Sequence, residues 1–267
     1  MMAKGEYQKD FTHLFIEIEQ HIALITINRP EVRNAMNPES WAELGAAVKR
    51  LNQLPEVRVI MITGAGDEAF VAGADIAWIR DRKPLDIYGD VAVQDVLLDL
   101  YRSSKPVIAI VNGFALGGGC ELMLACDLRI ASDRAKMGQP EVNLGILPAG
   151  GGTQQLPKLV GLPKAKELIL TGEIIHAQEA HRIGLVNHVV PHEELKERAY
   201  ELARKIASKP PITIQMAKIA LNESVTTDLP AGLALEKSLQ AILFGTKDKQ
   251  EGTRAFFEKR KPGFIGE

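Results

Sequence analysis

The sequence predicts an α/β fold, and three observations carry that expectation. Short, largely apolar runs recur at residues 59–63, 106–111 and 128–131. Runs of that length read as buried strands. Stretches of helical length and pattern lie among them, and strands alternating with helices imply parallel pairing through right-handed crossovers. The third observation is a change of character after Gly161, beyond which nearly every segment suits a helix.

Taken in order, residues 14–19 and 22–28 alternate apolar with polar around Gln20-His21, the pattern of a hairpin of half-buried strands. Residues 38–54 carry a helix signature, with Asn37 placed to cap the first turn and Pro38 at the first helical position. The strand at 59–63 runs into Gly64-Ala65-Gly66 and then Ala72-Gly73-Ala74-Asp75-Ile76. Beyond Gly161, helices are expected at 163–170, 177–183, 192–208, 210–222, 229–244 and 247–259. Only residues 186–190 look extended there.

Composition describes one globular, enzyme-sized unit of 267 residues, 46% hydrophobic and 25% charged. A net charge of −2 argues against a dedicated nucleic-acid surface. Lys49 and Arg50 make only a thin basic patch. The two cysteines, Cys120 and Cys126, are separated by roughly 9 Å along one helix, too far for a disulfide. Packed thiols in a reducing compartment are expected. Residues 1–10 match neither a secretory signal nor a transit peptide, and no apolar run reaches the length of a membrane span. A cytoplasmic protein without membrane contact is the expectation.

The chain is organised around Asn112-Gly113-Phe114-Ala115-Leu116-Gly117-Gly118-Gly119-Cys120-Glu121. This stretch joins the strand at 106–111 to a buried helix. Its glycines admit conformations closed to other residues and let a ligand approach the main chain. The first amides of the helix lack intrahelical partners and sit at the positive end of its dipole, a place to hold developing negative charge. Glu121 falls in the first turn, where a glutamate by default complements the dipole. No Gly-Lys-Ser/Thr follows and no G-x-G-x-x-G is present, so neither common nucleotide fingerprint applies. A second carboxylate, Glu141, follows Pro140 in a loop, with Pro148-Ala149-Gly150-Gly151-Gly152-Thr153 after it.

Other chemistry is poorly supported. The histidines form no H-e-x-x-H pair, and His176 and His181 are five positions apart rather than four, so no metal site is expected. Ser103-Ser104 lacks a nucleophile-elbow context.

Several motifs together resemble the crotonase (enoyl-CoA hydratase/isomerase) superfamily. They are Asn28-Arg29-Pro30 with Asn34-Ala35, the run from Ala69 to Ile76, the glycine turn with Glu121, and the Glu141 loop. Gly151-Gly152-Thr153-Gln154, Thr171-Gly172 and Phe257-Glu258-Lys259-Arg260-Lys261 also match, so the likeness runs from about residue 14 to the C-terminus. The resemblance implies a spiral of β-β-α units over residues 1–200 and a helical region over 201–267 that assembles trimers or pairs of trimers. It implies a coenzyme A thioester as substrate and no bound cofactor.

Residue by residue, the resemblance implies an oxyanion hole from the backbone amides of Ala74 and Gly118, with Glu121 and Glu141 as the catalytic pair. Contacts to the CoA thioester are implied for Arg29, Val32, Arg33, Ala35, Ala72, Asp75, Ile76, Leu116, Lys259 and Lys261. Phe70, Trp78, Leu116 and Leu147 are candidate walls of the acyl pocket. Two acids favour hydration of trans-2-enoyl-CoA over isomerisation. Ala165-Lys166-Glu167-Leu168-Ile169 and the segments around His181 and His188 resemble the methylglutaconyl-CoA hydratase branch, some of whose relatives bind RNA.

Overall fold

The computed structural model describes residues 11–89 and 93–267. The expectation for residues 1–10 lies outside them. β1 (Leu14–Glu19) pairs antiparallel with β2 (Ile22–Ile27). Gln20 and His21 both take positive φ, 49° and 69°, as a two-residue turn matching strand twist requires. α1 (Pro38–Gln53) opens with a capping box. The Asn37 side chain accepts from the Ser40 amide at 2.9 Å, and Ser40 Oγ accepts from the Asn37 amide at 2.8 Å.

The chain continues through β3 (Val59–Gly64), β4 (Ala69–Val71), α2 (Ile76–Asp81), α3 (Val93–Tyr101), β5 (Val107–Val111), β6 (Phe114–Leu116) and α4 (Gly118–Ala125). Then come β7 (Leu128–Ser132), β8 (Lys136–Gly138), α5 (Gly152–Val160), α6 (Leu162–Thr171), β9 (Ile174–His176), α7 (Ala177–Arg182) and β10 (His188–Val190). The last helices are α8 (Leu195–Ala207), α9 (Pro211–Glu223), α10 (Leu229–Phe244) and α11 (Lys247–Phe257).

The strands form two sheets, ordered β1-β2-β3-β5-β7-β10 and β4-β6-β8-β9. Strands β3, β5 and β7 lie side by side in the first, and β4, β6 and β8 in the second. Each turn of chain thus gives one strand to each sheet before its helix, which is the spiral the resemblance implied. β9 corrects the expectation that only residues 186–190 would be extended after Gly161. Its three residues are too few for a periodic signal, and its end residues face solvent. β6 likewise lies inside the stretch read as a single turn between residues 112 and 121.

At its centre the larger sheet is covered on both faces, which is why β3 and β5 read as unbroken apolar runs. β1 keeps one face towards solvent as its alternation predicts, but β2 is buried on both faces and corrects the expectation of a half-buried strand. Ala23, Ile25 and Ile27 of β2 face the main core, while Ile22 and Leu24 face a second cluster closed by Leu195, Ala199, Ala203 and Ala207 of α8. Residue 200, where the expected division of the chain falls, sits within α8. α9 is held to the core by Lys218, whose ammonium donates to Asp127 Oδ2 at 2.8 Å and to the Lys105 carbonyl at 3.2 Å. α10 has no buried residue, although Leu229, Leu233, Ile242 and Phe244 are all apolar and exposed. Among the described residues, no helix is long and apolar enough to cross a membrane.

Candidate active site

The site lies where consecutive turns of the spiral meet. α4 starts at Gly118, so the Gly118 amide has no acceptor within its own helix. Gly117 precedes it at φ 52°, ψ −123°, a backbone conformation suited to glycine. A side chain there would also meet Glu141, because a Cβ would stand 3.2 Å from Oε1. The Ala74 loop belongs to the preceding turn. Met36 bridges it as a one-residue parallel ladder, its amide donating to the Gly73 carbonyl and its carbonyl accepting from Asp75, both at 2.9 Å. That pattern leaves the Ala74 amide without a protein acceptor among the described residues. A Cβ on Gly118 would stand 3.8 Å from the Ala74 nitrogen, so the two loops are in direct apposition.

Glu121 lies one turn into α4 and is 5% exposed. Its Oε1 accepts from the Gly150 amide at 2.6 Å and the Gly152 amide at 2.9 Å. Oε2 receives no hydrogen bond from the described residues. Burial raises the Glu121 pKa above the usual carboxylate value, opposed by the amides of Gly152 and Gly150. Glu141 sits in a short 3-10 helix, Pro140–Leu144, and is 9% exposed. Burial pushes its pKa up to about 7, against its own backbone amide and with a smaller contribution from the Glu121 charge. With the Gln139 amide turned to satisfy its surroundings, its nitrogen lies 3.0 and 3.2 Å from the two Glu141 oxygens.

The roles of Gly150, Gly152 and Gln139 were not legible in the sequence. Gly150 and Gly152 belong to a quoted motif, but nothing in one sequence shows that their amides hold Glu121. Gln139 carries no distinguishing signal, being one polar residue among Lys136, Glu141 and Asn143.

The remaining predicted site residues divide into two groups. Arg29, Val32, Arg33, Ala35, Ala72, Asp75 and Ile76 gather beside Ala74. Within that group Arg29 is largely engaged, donating to the Ala35 carbonyl at 2.5 Å and lying 3.7 Å from Asp75 Oδ2. Arg33 is exposed and pairs with exposed Glu68 at 2.6 Å, a contact that water screens and a phosphate can displace. Asp75 also caps α2 through the Ala77 amide. Leu116 ends β6, just before the glycines.

Lys259 and Lys261 stand apart from that group. Their segment returns to the opposite end of β3, where Arg58 donates to the Phe264 carbonyl at 2.9 Å. Arg29 lies beyond the other end of the same strand pair, since Ile27 pairs with Gly64.

A cavity of about 470 Å³ opens from Glu121 between α3 and the loop entering α5, lined by Leu97, Leu98, Tyr101, Ala125, Leu147 and Pro148 among others. Of the four candidate acyl walls, Leu147 lines this cavity. Phe70 is fully buried in the core, and Trp78 lies under the Arg82 guanidinium at 4.5 Å. Among the described residues, no group of three or more His, Cys, Asp or Glu could hold a metal ion.

The apposed loops thus carry two amides without protein acceptors among the described residues, with buried carboxylates at Glu141, beside Gly117, and at Glu121, in the following helix turn. Groups of these kinds can polarise a carbonyl and move protons. The family model for enoyl-CoA hydratase/isomerase matches residues 17–267, and the chain belongs to that family. It is 46% identical over 257 residues to a crotonyl-CoA hydratase of Syntrophomonas wolfei, covering 96% of this chain and 98% of that one. A short-chain-enoyl-CoA hydratase of Clostridium acetobutylicum is 43% identical over 254 residues, 94% of this chain and 97% of that one. The crystal structure of an enoyl-CoA hydratase from Bacillus anthracis superposes with a TM-score of 0.93 at 41% identity, covering 96% of this chain and 100% of that one.

Proposed function

We propose that this protein is an enoyl-CoA hydratase, a hydro-lyase that adds water across C2=C3 of trans-2-enoyl-CoA to give 3-hydroxyacyl-CoA. One observation carries the reading: the unpaired Ala74 and Gly118 amides lie on apposed loops, with the buried Glu141 carboxyl beside Gly117 and the buried Glu121 in the first turn of the helix that Gly118 opens. The similarity to a crotonyl-CoA hydratase and a short-chain-enoyl-CoA hydratase supports it.

The steps follow from the atoms present. The thioester oxygen accepts from the two amides, which oppose its growing negative charge as the enolate forms. Glu121, held by two amides at Oε1, takes a proton from water at Oε2 while the water oxygen bonds to C3. Glu141, whose proton affinity burial raises, gives its proton to C2. One proton leaves water and one reaches carbon, so the pair is restored when Glu121 returns its proton to Glu141. Protons and a polarised carbonyl suffice, and no bound cofactor enters any step. Because the two acids interact, their titrations belong to the pair.

That assignment fixes the sign of the pH dependence. Neutral Glu141 is the active form, so kcat/KM should fall as pH rises through about 7. Ionised Glu121 is the active form, so activity should also fall in acid, at a pH above the usual carboxylate range. Glu141→Gln should abolish the alkaline limb in whatever activity remains. An alkaline limb that survives in this variant would assign it to another group.

Carbons beyond C3 run from Glu121 into the cavity along Leu97, Leu98 and Tyr101. Assaying crotonyl-, hexenoyl-, decenoyl- and methylglutaconyl-CoA tests the function directly, and hydration of none of them would overturn it. Leu98→Trp should lower the ratio of kcat/KM for decenoyl- over crotonyl-CoA by about tenfold, within the range for apolar pocket contacts. An unchanged ratio would place the acyl chain elsewhere.

We further assign residues from Pro211 onward to assembly into a trimer or a pair of trimers. The exposed apolar side chains of α10, and Lys259 and Lys261 lying far from Arg33, fit a neighbouring subunit completing the CoA site. Charge removal at Lys259 and Lys261 should raise KM more than it lowers kcat. Light scattering that finds a stable monomer at micromolar concentration would remove this assignment. The two buried free thiols suit a reducing cytoplasm.

A further inference from the structure

The two amides come from separate turns of the spiral, and one segment touches both of their loops. Met36 ladders with the Ala74 loop, as described above. Five residues on, Trp41 is 1% exposed, and its Cζ2 stands 3.4 Å from where a Gly118 Cβ would be. The indole edge therefore covers the side of Gly118 on which any side chain would have to stand. The path between the two contacts is rigid. It includes the Asn37–Ser40 capping box, and the Trp41 amide donates to the Asn37 carbonyl at 3.1 Å.

The indole N–H meets no acceptor among the described residues. Packing rather than hydrogen bonding therefore fixes the ring, and a buried donor left unmade calls for an explanation. A large flat ring filling the space beside Gly118 supplies one.

We propose that Trp41 is a positioning residue of the oxyanion hole, setting the distance between the Ala74 and Gly118 amides through the brace formed by residues 36–41. This rests on the reading that those amides bind the thioester oxygen. Oxyanion donors act only when both aim at one point, and a displacement of about 1 Å can cost on the order of 10² in rate. Trp41 touches no reacting atom, so its effect appears as loss of carbonyl polarisation.

The test compares wild type with Trp41→Phe and Trp41→Leu in two measurements. Steady-state hydration of crotonyl-CoA gives kcat and KM. The infrared carbonyl stretch of bound butyryl-CoA, which has no double bond to hydrate, reports the hydrogen bonds to the thioester oxygen. In Trp41→Leu, kcat should fall about tenfold or more with KM within about threefold, a pattern of interactions stronger in the transition state. The bound carbonyl stretch should move back towards its value in free butyryl-CoA, and Trp41→Phe should lie between. Should Trp41→Leu fail to fold, Trp41→Phe carries the same test. A bound stretch equal to wild type overturns the proposal, whether or not the rate has fallen. So does a kcat within about twofold of wild type in a folded variant. Inactivity of wild type on every enoyl-CoA would instead remove the reading beneath it.

Discussion

Glu121→Gln is expected to lower kcat for crotonyl-CoA hydration by about 10² or more, and Glu141→Gln by a similar factor, as removal of a general acid or base does. Glutamine keeps the shape at both positions. At residue 121 its carbonyl oxygen can still accept from the Gly150 and Gly152 amides, while an NH₂ replaces Oε2 and cannot take a proton. Folding and CoA affinity should therefore change little. The double variant should be less impaired than the product of the two single effects, because groups acting as a unit are not additive. One crippled and one nearly normal variant would describe an isomerase that uses a single acid. Full hydration activity in either single variant would remove that residue from the site.

Gly117→Ala is expected to have the second large effect, through two causes that act together. The residue lies at φ 52°, ψ −123°, and forcing a Cβ into such a conformation costs about 1–3 kcal/mol. The same Cβ would stand 3.2 Å from Glu141 Oε1, so the carboxyl must shift or the turn must open. Either response misaligns Glu141 or the adjacent Gly118 amide, and kcat should fall by about 10². Melting temperature and steady-state kinetics measured together check this. A variant with wild-type kcat and stability would show that the turn tolerates another geometry.

The sequence showed most of the long elements because their signals are local. Asn37 and Pro38 announced α1, and Gln20-His21 announced the hairpin. The strands at 59–63 and 106–111 were legible from unbroken apolar runs, since both sheet faces are covered. β4, β6, β8 and β9, at three residues each, gave no periodicity to read. The second sheet is made of these short strands, so the spiral came only from family likeness. At the site, Glu121 was visible as an acid beside glycines. Its partners Gly150 and Gly152 are about thirty residues away, and backbone amides carry no mark of side-chain identity. Trp41 was missed for a related reason: a tryptophan in an amphipathic helix reads as core, and here that core lies against Gly118.

Hydration of crotonyl-CoA in doubly labelled water, H₂¹⁸O with deuterium, tests the central claim most directly. If Glu121 activates water at C3 and Glu141 protonates C2, each 3-hydroxybutyryl-CoA formed in the initial phase carries one ¹⁸O at C3 and one solvent-derived deuteron at C2. Both labels should appear at the same rate and be lost together in Glu121→Gln and Glu141→Gln. Solvent deuterium entering the acyl chain without ¹⁸O, or a product isomerised without added oxygen, would contradict the assignment of this site to hydration.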